Sequence, residues 1–204
     1  MSEIAIFGAN GRAGRAVTAE AVRRGHRVTA VVRDPHGYEG TTGPRVRVTR
    51  GDVTDPRAVT AGHDAIVSAV FDGAAEPRAF YTAAAKALLS HGTGRLIVVG
   101  LSSILATADG TPLMDTPGYP QEYRAFYEAH AAGAEILRRA DQDWLIVSPA
   151  GDFDHRGGER TGRYRIAPAD AESRISHAGL AVAILDEIER PAHHRTHLGV
   201  EQSS

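Results

Sequence analysis

Three evenly spaced glycines near the N-terminus are the residues whose type and spacing point most directly to chemistry. Gly8, Gly11 and Gly14 follow a short apolar run in the stretch IAIFGANGRAGRAV, residues 4–17. In a strand-to-helix turn, one glycine permits a tight backbone, a second lets the main chain approach a pyrophosphate, and a third lets the helix pack closely. The helix N-terminus then offers backbone N–H groups to phosphates.

The spacing is GxxGxxG, whereas the standard dinucleotide fingerprint is GxGxxG. A tight turn that binds nothing is therefore the alternative interpretation. The position of the glycines at the first strand-to-helix turn favours a dinucleotide loop. Its predicted cofactor-binding residues are Gly8, Asn10, Gly11, Arg12, Ala13 and Gly14.

Arg33 ends the second apolar run, where dinucleotide-binding folds recognise the adenosine ribose. An acidic residue there binds the ribose 2′-OH of NAD, whereas arginine accommodates the 2′-phosphate of NADP. A guanidinium suits phosphate because it donates two parallel hydrogen bonds and keeps its charge, and Arg12 could add a second positive charge. Asp34 follows directly and leaves NAD open, as does the alternative of an ordinary surface arginine. We predict that NADP (NADPH) is preferred over NAD.

The stretch GDVTDP, residues 51–56, follows the third apolar run. Asp52 is predicted to accept a hydrogen bond from an adenine amino group, while Val53 covers the ring. The alternative for an acidic residue here is to cap the following helix. That role fits Thr54 or Asp55 more naturally.

The elements that must position these residues alternate along the chain. Apolar runs predict strands, and apolar residues at helical spacing predict helices. Parallel strands need crossover connections, usually helical, so the pattern predicts an α/β fold with a doubly wound parallel sheet (Rossmann fold). We expect a single domain, 1–204, with a small C-terminal substrate-pocket region. The predicted strands are 4–7, 28–33, 46–50, 65–70, 95–100, 144–149 and a short one near 196–200; the helices are 12–25, 55–61, 76–91, 120–140 and 177–189; the long loops are 101–119 and 150–174.

Ligands of such sheets bind beyond the carboxyl ends of the strands. The turn after the fourth strand is therefore a further place where a cofactor would be contacted. Its candidate residues are Ser68, Ala69 and Val70.

Composition restricts the function classes. The chain has 204 residues, a formal net charge of -2 and no cysteine, which excludes disulfides, thiolate metal sites and a cysteine nucleophile. No global basic field points to nucleic acid or to an acidic membrane surface. The first apolar run is too short for a signal sequence or a membrane span, so a cytoplasmic location is expected. The HHRTH stretch, residues 193–197, has no evident carboxylate partner, and no metal site is predicted.

Taken together, the motifs resemble those of the atypical short-chain dehydrogenase/reductase superfamily, specifically its NmrA-like and biliverdin-reductase-B-like NAD(P)H-binding members. The resemblance covers residues 1–190, approximately. The matching stretches are FGANGRAG, VVRDP, GDVTD, LIVVGLSS and HAAGAEILRRADQDWLIVSPAGDF.

Typical members of this superfamily use a serine after the fifth strand together with a Tyr-x-x-x-Lys helix. The chain's only lysine, Lys86, lies five residues after Tyr81. On a helix these two side chains point about 140° apart, so they cannot form the usual pair. The resemblance instead aligns His130 with the lysine position of typical members, where biliverdin-reductase-B-like proteins carry histidine, and Phe126 with the catalytic tyrosine.

The resemblance also implies the remaining site residues. Ser102 corresponds to the serine after the fifth strand, with Ser103 as the alternative. Tyr123 and Tyr127 share a predicted helix face with His130, and Tyr127 joins Ser102 and His130 as a candidate catalytic residue. Ser102 and His130 are also candidate cofactor contacts. So are Pro149, Ala150 and Gly151, which follow the sixth strand, where related proteins line the nicotinamide.

These observations predict an NADPH-dependent reductase that transfers hydride to a small planar acceptor, such as a flavin, a quinone or a conjugated carbonyl. The alternative is a non-catalytic NADP(H)-binding redox sensor of the NmrA-like type. An epimerase or dehydratase would need an acid/base pair that the motifs do not supply. The expected partner is a small-molecule substrate, and the expected state is a monomer or a homodimer.

Overall fold

A computed structural model describes residues 1–91, 94–154 and 160–203. An eight-stranded sheet forms its centre, with strand order β3-β2-β1-β4-β5-β6-β10-β8. The pairings are parallel except for that between β10 and β8. The elements are β1 (Glu3–Phe7), α1 (Arg12–Arg23), β2 (Arg27–Val32), β3 (Val46–Arg50), α2 (Arg57–Thr60), β4 (Ala65–Ser68), α3 (Pro77–His91), β5 (Arg95–Val99), α4 (Arg124–Arg138), β6 (Trp144–Pro149), β7 (Asp152–Phe153), β8 (Tyr164–Ile166), β9 (Arg174–Ile175), α5 (His177–Glu189) and β10 (Thr196–Gln202).

Helices cover both faces of this sheet because its central strands are apolar on both sides. On β1, Ile4 and Ile6 face α1 and α5, whereas Ala5 and Phe7 face α3 and α4. This alternation follows from the two-residue period of a strand. The predicted fold class, a doubly wound parallel sheet of the Rossmann type, is confirmed.

The structure differs from the predicted elements in its C-terminal half. The fourth helix begins at Arg124, not at residue 120, because the Gln121 side-chain amide donates hydrogen bonds to the carbonyls of Met114 and Tyr119 and ties the preceding residues to the loop. Within the predicted loop 150–174, three residues form β8, which pairs with a β10 that extends to residue 202. In the described part of the chain, no helix is both long and apolar enough to span a membrane.

Candidate active site

The first turn of the sheet needs two of its three glycines for steric reasons. Gly8 has φ +74°, and a Cβ atom there would lie 2.2 Å from the Ala69 carbonyl oxygen. A Cβ atom at Gly14 would lie 2.1 Å from the Gly8 carbonyl oxygen. Gly8 thus brings the turn against the end of β4, and Gly14 brings α1 against the turn, as the motif predicts.

Gly11 has a different role from the other two glycines. A Cβ atom there would meet only the Gly8 and Ala69 carbonyl oxygens, at 3.3 and 3.9 Å. Packing therefore does not forbid a side chain at this position. Gly11 immediately precedes α1, and the lack of a side chain leaves the positive end of that helix open to phosphates. Arg12 and Ala13 form the first turn of the helix beside it.

Asn10 connects the glycine turn to the segment after β2. Its amide nitrogen donates a hydrogen bond to the Gly37 carbonyl at 2.8 Å, and its amide oxygen accepts one from the Glu39 backbone N–H at 3.0 Å. Arg15 donates to the Asn10 carbonyl at 2.7 Å and forms an ion pair with Glu39. The side chain of Asn10 therefore fixes one wall of the adjoining groove.

A groove of about 260 Å³ runs across the carboxyl ends of β1, β2, β3 and β4. It brings together eight of the seventeen residues that the sequence predicts for cofactor binding, and the residues that sequence reasoning missed include Phe71, Asp72 and Phe80. The predicted residues that line it are Gly8, Asn10, Gly11, Arg33, Asp52, Val53, Ala69 and Val70.

Two acidic residues, Asp52 in the groove and Asp34 next to the groove residue Arg33, accept hydrogen bonds within their own turns. Asp34 accepts a hydrogen bond from the His36 backbone N–H at 3.0 Å, so its carboxylate caps the following turn. Asp52 accepts hydrogen bonds from the backbone N–H and the hydroxyl of Thr54, at 2.8 and 2.7 Å. The expectation that Thr54 or Asp55 caps the following helix was wrong, because the N-cap of α2 is Pro56 and no side chain caps it. Asp52 nevertheless lines the groove.

Arg33 extends across the groove to Asp72. Its Nη1 atom lies 2.6 Å from Oδ2 of Asp72, and the Arg33 side chain is 66% exposed. Asp72 follows β4, whereas Arg33 follows β2, and β1 lies between those strands. The arginine predicted for the 2′-phosphate is therefore present at the groove, and a carboxylate already pairs with it.

His130 lies in a different cavity, between α3, α4 and the sheet. Its Nε2 atom is buried and has no hydrogen-bond partner among the described residues. The imidazole ring lies 3.7 Å from the Tyr81 ring and 4.7 Å from the Phe126 ring, measured between centroids. Burial lowers the pKa of His130 to about 3. The ring is therefore neutral near pH 7 and cannot act as a cationic acid.

The cavity beside His130 has a volume of about 40 Å³ and an apolar lining. Ser68, predicted to contact the cofactor, is buried and lines this cavity rather than the groove, because the strand alternation turns its side chain toward α3 and α4. Val70 lines both spaces and thus connects them. Gly133 lets the two helices approach closely, since a Cβ atom there would lie 3.1 Å from the Tyr81 carbonyl oxygen.

Sequence reasoning considered Tyr81 only as a partner for Lys86 and missed its contact with His130. The two residues are on separate helices, and no spacing rule relates them. Lys86 itself is exposed on α3, so the predicted absence of a Tyr/Lys pair agrees with the structure. Burial raises the pKa of Tyr81 above its usual range, which keeps this phenol neutral as well.

Ser102 and Tyr127 line a third, wider cavity of about 490 Å³. Tyr127 packs on Tyr119, with ring centroids 5.6 Å apart. The prediction that Tyr127 and His130 meet in one site through a shared helix face was wrong, because the two side chains line different cavities. His130 follows Phe126 by four residues, about 40° around the helix, and contacts that ring instead. Tyr123 precedes the helix and is exposed.

Phe126 forms the wall between the cavities. It lines the wide cavity and contacts Tyr81 and Phe71, with ring centroids 5.9 Å apart in both pairs. Ser102 begins a 3-10 turn three residues after the end of β5. Ser103 also lines the wide cavity, and its buried hydroxyl has no hydrogen-bond partner in the described part of the chain.

Of the three residues predicted at the end of β6, of which Pro149 is the last residue of the strand, Gly151 lines the wide cavity. A Cβ atom there would lie 2.3 Å from the carbonyl oxygens of Asp170 and Ser173, so the absence of a side chain lets these carbonyl groups pack closely against Gly151. Pro149 and Ala150 are buried, and the Ala150 N–H donates to the Val200 carbonyl at 2.8 Å. Gly151 is therefore the one of the three that lines the wide cavity, and their contact with a nicotinamide stays a prediction.

The histidines near the C-terminus have carboxylate partners that the sequence did not reveal. His193 pairs with Glu187 at 2.6 Å and His194 with Asp143 at 2.8 Å. The described residues contain no group of three or more side chains that could hold a metal ion.

The sequence favours a solvated loop for the basic stretch 158–165 over a contact with an anionic substrate or the cofactor phosphates, and it makes Asp152, Asp154 and His155 candidate borders of the substrate pocket. His155 and the first two residues of the basic stretch lie outside the described residues. Arg160, from the same stretch, is bound to the buried carboxylate of Glu20 at 2.7 Å. This arginine therefore contributes to the fold on the α1 side of the sheet.

Comparisons with known proteins agree with this architecture. The uncharacterised protein YwnB of Bacillus subtilis is 36% identical over 205 aligned positions, which cover 94% of each chain. The crystal structure of a Streptococcus pneumoniae protein with the provisional name NADH-flavin reductase has a TM-score of 0.86 and 29% identity, with complete coverage of both chains. A Bacteroides thetaiotaomicron protein with the provisional name epimerase has a TM-score of 0.85 and 30% identity, covering 99% of this chain and 97% of its own.

A family model described as NAD(P)H-binding matches residues 8–191. The match begins at the first glycine of the turn and includes the residues that line the His130 cavity and the wide cavity, and those that line the groove except Phe7. These findings agree with the resemblance to atypical short-chain dehydrogenase/reductases. The chain belongs to the NAD(P)H-binding family.

Proposed function

We propose that the protein is an NADPH-dependent reductase that reduces a small planar acceptor, such as a flavin, a quinone or a conjugated carbonyl. The membership of the NAD(P)H-binding family and the similarity to a protein named NADH-flavin reductase support the reaction class. Arg33 at the groove supports the choice of NADPH. We further expect a cytoplasmic location and a monomeric or homodimeric state from the sequence.

The groove fits a dinucleotide. Gly11 leaves the N-terminus of α1 open, where the phosphates would lie, and Val53 and Phe80 offer apolar surface to the adenine. Arg33 would hold the 2′-phosphate. A bound reduced nicotinamide supplies the hydride, and the protein's contribution is orientation and electrostatics. Val70, between the groove and the His130 cavity, marks the direction in which the nicotinamide end would extend.

One observation carries the choice of acceptor: aromatic rings that hold no charge occupy the place of the usual acid/base pair. The family resemblance aligns Phe126 with the tyrosine position, and burial keeps His130, which contacts the Phe126 ring, neutral with a pKa of about 3. A ketone or aldehyde needs a proton at its oxygen as it is reduced. A flavin or quinone spreads the added negative charge over its rings, so the proton can come from solvent.

The side chains around the wide cavity suit such an acceptor. Tyr119, Phe126 and Tyr127 offer flat apolar surface to a planar molecule. The Ser102 hydroxyl would donate a hydrogen bond to a carbonyl or ring nitrogen of the acceptor. The relative named epimerase does not change this proposal, because epimerisation needs a working acid/base pair and Tyr127 and His130 line separate cavities.

The test combines binding with turnover. The purified protein is titrated with NADPH, and oxidation of NADPH is then followed with FMN, with menadione and with an aliphatic aldehyde. We expect turnover with the first two acceptors, slower oxidation of NADPH deuterated at the transferred position, and no turnover with the aldehyde. Lys86→Ala, on the exposed face of α3, is the control and should leave activity unchanged. NADPH binding without turnover of any acceptor would favour the redox sensor, and the absence of binding would refute both functions.

A further inference from the structure

We propose that Asp72 is a specificity-determining residue, which limits the preference for NADP over NAD by competing with the 2′-phosphate for Arg33. This inference rests on the proposed function and deepens it. Neither the glycine motif nor the end of β2 reveals this residue, because Asp72 follows β4, almost forty residues after Arg33.

The ion pair crosses the groove in which the nucleotide would lie. Both residues line that groove, and their contact joins the ends of β2 and β4 across the end of β1, where the glycine turn begins. The Nη1–Oδ2 distance is 2.6 Å. A phosphate that reaches Arg33 must therefore replace or share this carboxylate.

Asp72 is the fixed partner of the pair. Its Oδ1 atom accepts a hydrogen bond from the Ala74 backbone N–H at 3.0 Å, and its side chain is only 19% exposed. The Ala74 N–H and the nearby Arg33 charge lower the pKa of Asp72, so the carboxylate is ionised at neutral pH. Arg33 is long and mostly exposed, and it is the partner that can move to a phosphate.

The neighbouring acidic residue does not play this part. Asp34 adjoins Arg33 in the sequence and was the reason to keep NAD open, but its carboxylate caps the turn at residues 35–37. The carboxylate that acts on Arg33 comes from the other side of the groove. The sequence-adjacent residue is therefore the wrong one to mutate for a change in preference.

The two nucleotides should respond differently to removal of the Asp72 charge. NADPH brings a 2′-phosphate, which is repelled by Asp72 and needs Arg33, whereas NADH brings a neutral hydroxyl. Asp72→Asn keeps the size of the side chain and an oxygen for the Ala74 N–H. For an exposed pair of this kind we expect NADPH to bind about 3-fold to 10-fold more tightly, with the affinity for NADH changed by less than about 2-fold.

The experiment is calorimetric titration of the full chain with NADPH and with NADH at low salt. The variants are Asp72→Asn, Arg33→Ala and the double variant; the matched control is Asp115→Asn, an aspartate that pairs with Arg124 at 2.6 Å outside the groove. Arg33→Ala should weaken NADPH selectively, and the double variant should lose the gain given by Asp72→Asn. Added salt should reduce that gain.

Several outcomes would overturn the inference. Weaker binding of NADPH to Asp72→Asn would show that Asp72 orients Arg33 toward the phosphate instead of competing with it. Equal changes for both nucleotides would show a general effect on the groove. If the unmodified protein binds neither nucleotide, the proposed function fails and this inference fails with it; tight binding with an unchanged preference in Asp72→Asn overturns the inference alone.

Discussion

Mild acid should destabilise this protein through two histidines that are only partly exposed and that burial keeps neutral. The first is His130, whose Nε2 atom is buried without a partner in the described structure and whose pKa burial lowers to about 3. The second is His197, whose Nε2 atom lies 2.7 Å from the Ser148 hydroxyl oxygen. Burial, with the nearby charge of Arg138, lowers the pKa of His197 to about 4.

The direction and the size of this loss of stability follow from proton linkage. An unfolded histidine has a pKa of about 6.5, so between pH 6.5 and the folded value the unfolded chain binds a proton that the native state does not. The stability contributed by each neutral histidine is full above about pH 6.5 and falls by about 1.4 kcal/mol per pH unit below it. At about pH 5 each histidine therefore removes roughly 2 kcal/mol, and the two together roughly 4 kcal/mol. This is a large part of the roughly 5–15 kcal/mol of a typical domain.

The assay is urea unfolding at about pH 7.5 and at about pH 5, the upper edge of the range in which unfolded carboxylates take up protons. The carboxylate contribution is common to the variants and cancels when their losses of unfolding free energy are compared. His130→Phe keeps an aromatic ring against Tyr81 and removes the titrating group, so its loss of unfolding free energy between the two pH values should be smaller by roughly 2 kcal/mol. His36→Gln, on an exposed turn, is the control and should behave as the unmodified protein does. The reasoning is refuted if His130→Phe loses as much stability as the unmodified protein, or if His130 titrates near its ordinary pKa in a nuclear magnetic resonance experiment.

Further predictions concern the glycine turn and a buried carboxylate. Gly8→Ala should lower the unfolding free energy by about 2–4 kcal/mol in urea titrations, because its φ of +74° and the Ala69 carbonyl both oppose a side chain. Gly11→Ala should change the unfolding free energy by less than about 1 kcal/mol. The same variant should weaken NADPH binding at least about tenfold by calorimetry, because its Cβ atom would enter the phosphate site. Equal effects of Gly11→Ala on folding and on binding would contradict this separation between a structural Gly8 and a phosphate-binding Gly11. Glu20→Gln should lower the unfolding free energy by about 3–5 kcal/mol, because it breaks buried ion pairs, whereas Glu135→Gln, an exposed helix pair, should cost under about 1 kcal/mol. A similar melting temperature for these two glutamate variants would be evidence against a structural role for Glu20.

The sequence predicted the sheet well because the signals for its central strands are local. The run WLIVSP predicted β6 with its observed bounds, and 177–189 predicted α5. The segment 150–174 was less readable, since the three residues of β8 are too few to show a period and pair only with the distant β10. The start of α4 was displaced by a side chain, Gln121, that bonds to the preceding loop.

The residues of the candidate site also divide into those that local sequence signals reveal and those that only the folded structure brings together. Gly8, Gly11 and Arg33 could be found because each lies at a strand end that the fold brings to one edge. Tyr81 and Asp72 could not, because each meets its partner from another element, at a distance along the chain that no motif encodes. A prediction from spacing alone also placed Tyr127 beside His130, whereas the packing of α4 on α3 decides which flank of the helix meets which cavity.

The site lacks the usual Tyr/Lys pair, and the aromatic contacts of His130 explain why it does not keep a weaker form of the same proton transfer. A lysine at this position would have to remain charged between Tyr81 and Phe126, in surroundings that already hold imidazole neutral by burial. Desolvation opposes a charge here whatever group carries it. A tyrosine restored at Phe126 would thus lack the positive neighbour that lowers a phenol's pKa. Under the proposed function, the packing around His130, and not only the residue at the tyrosine position, favours acceptors that need no proton from the protein.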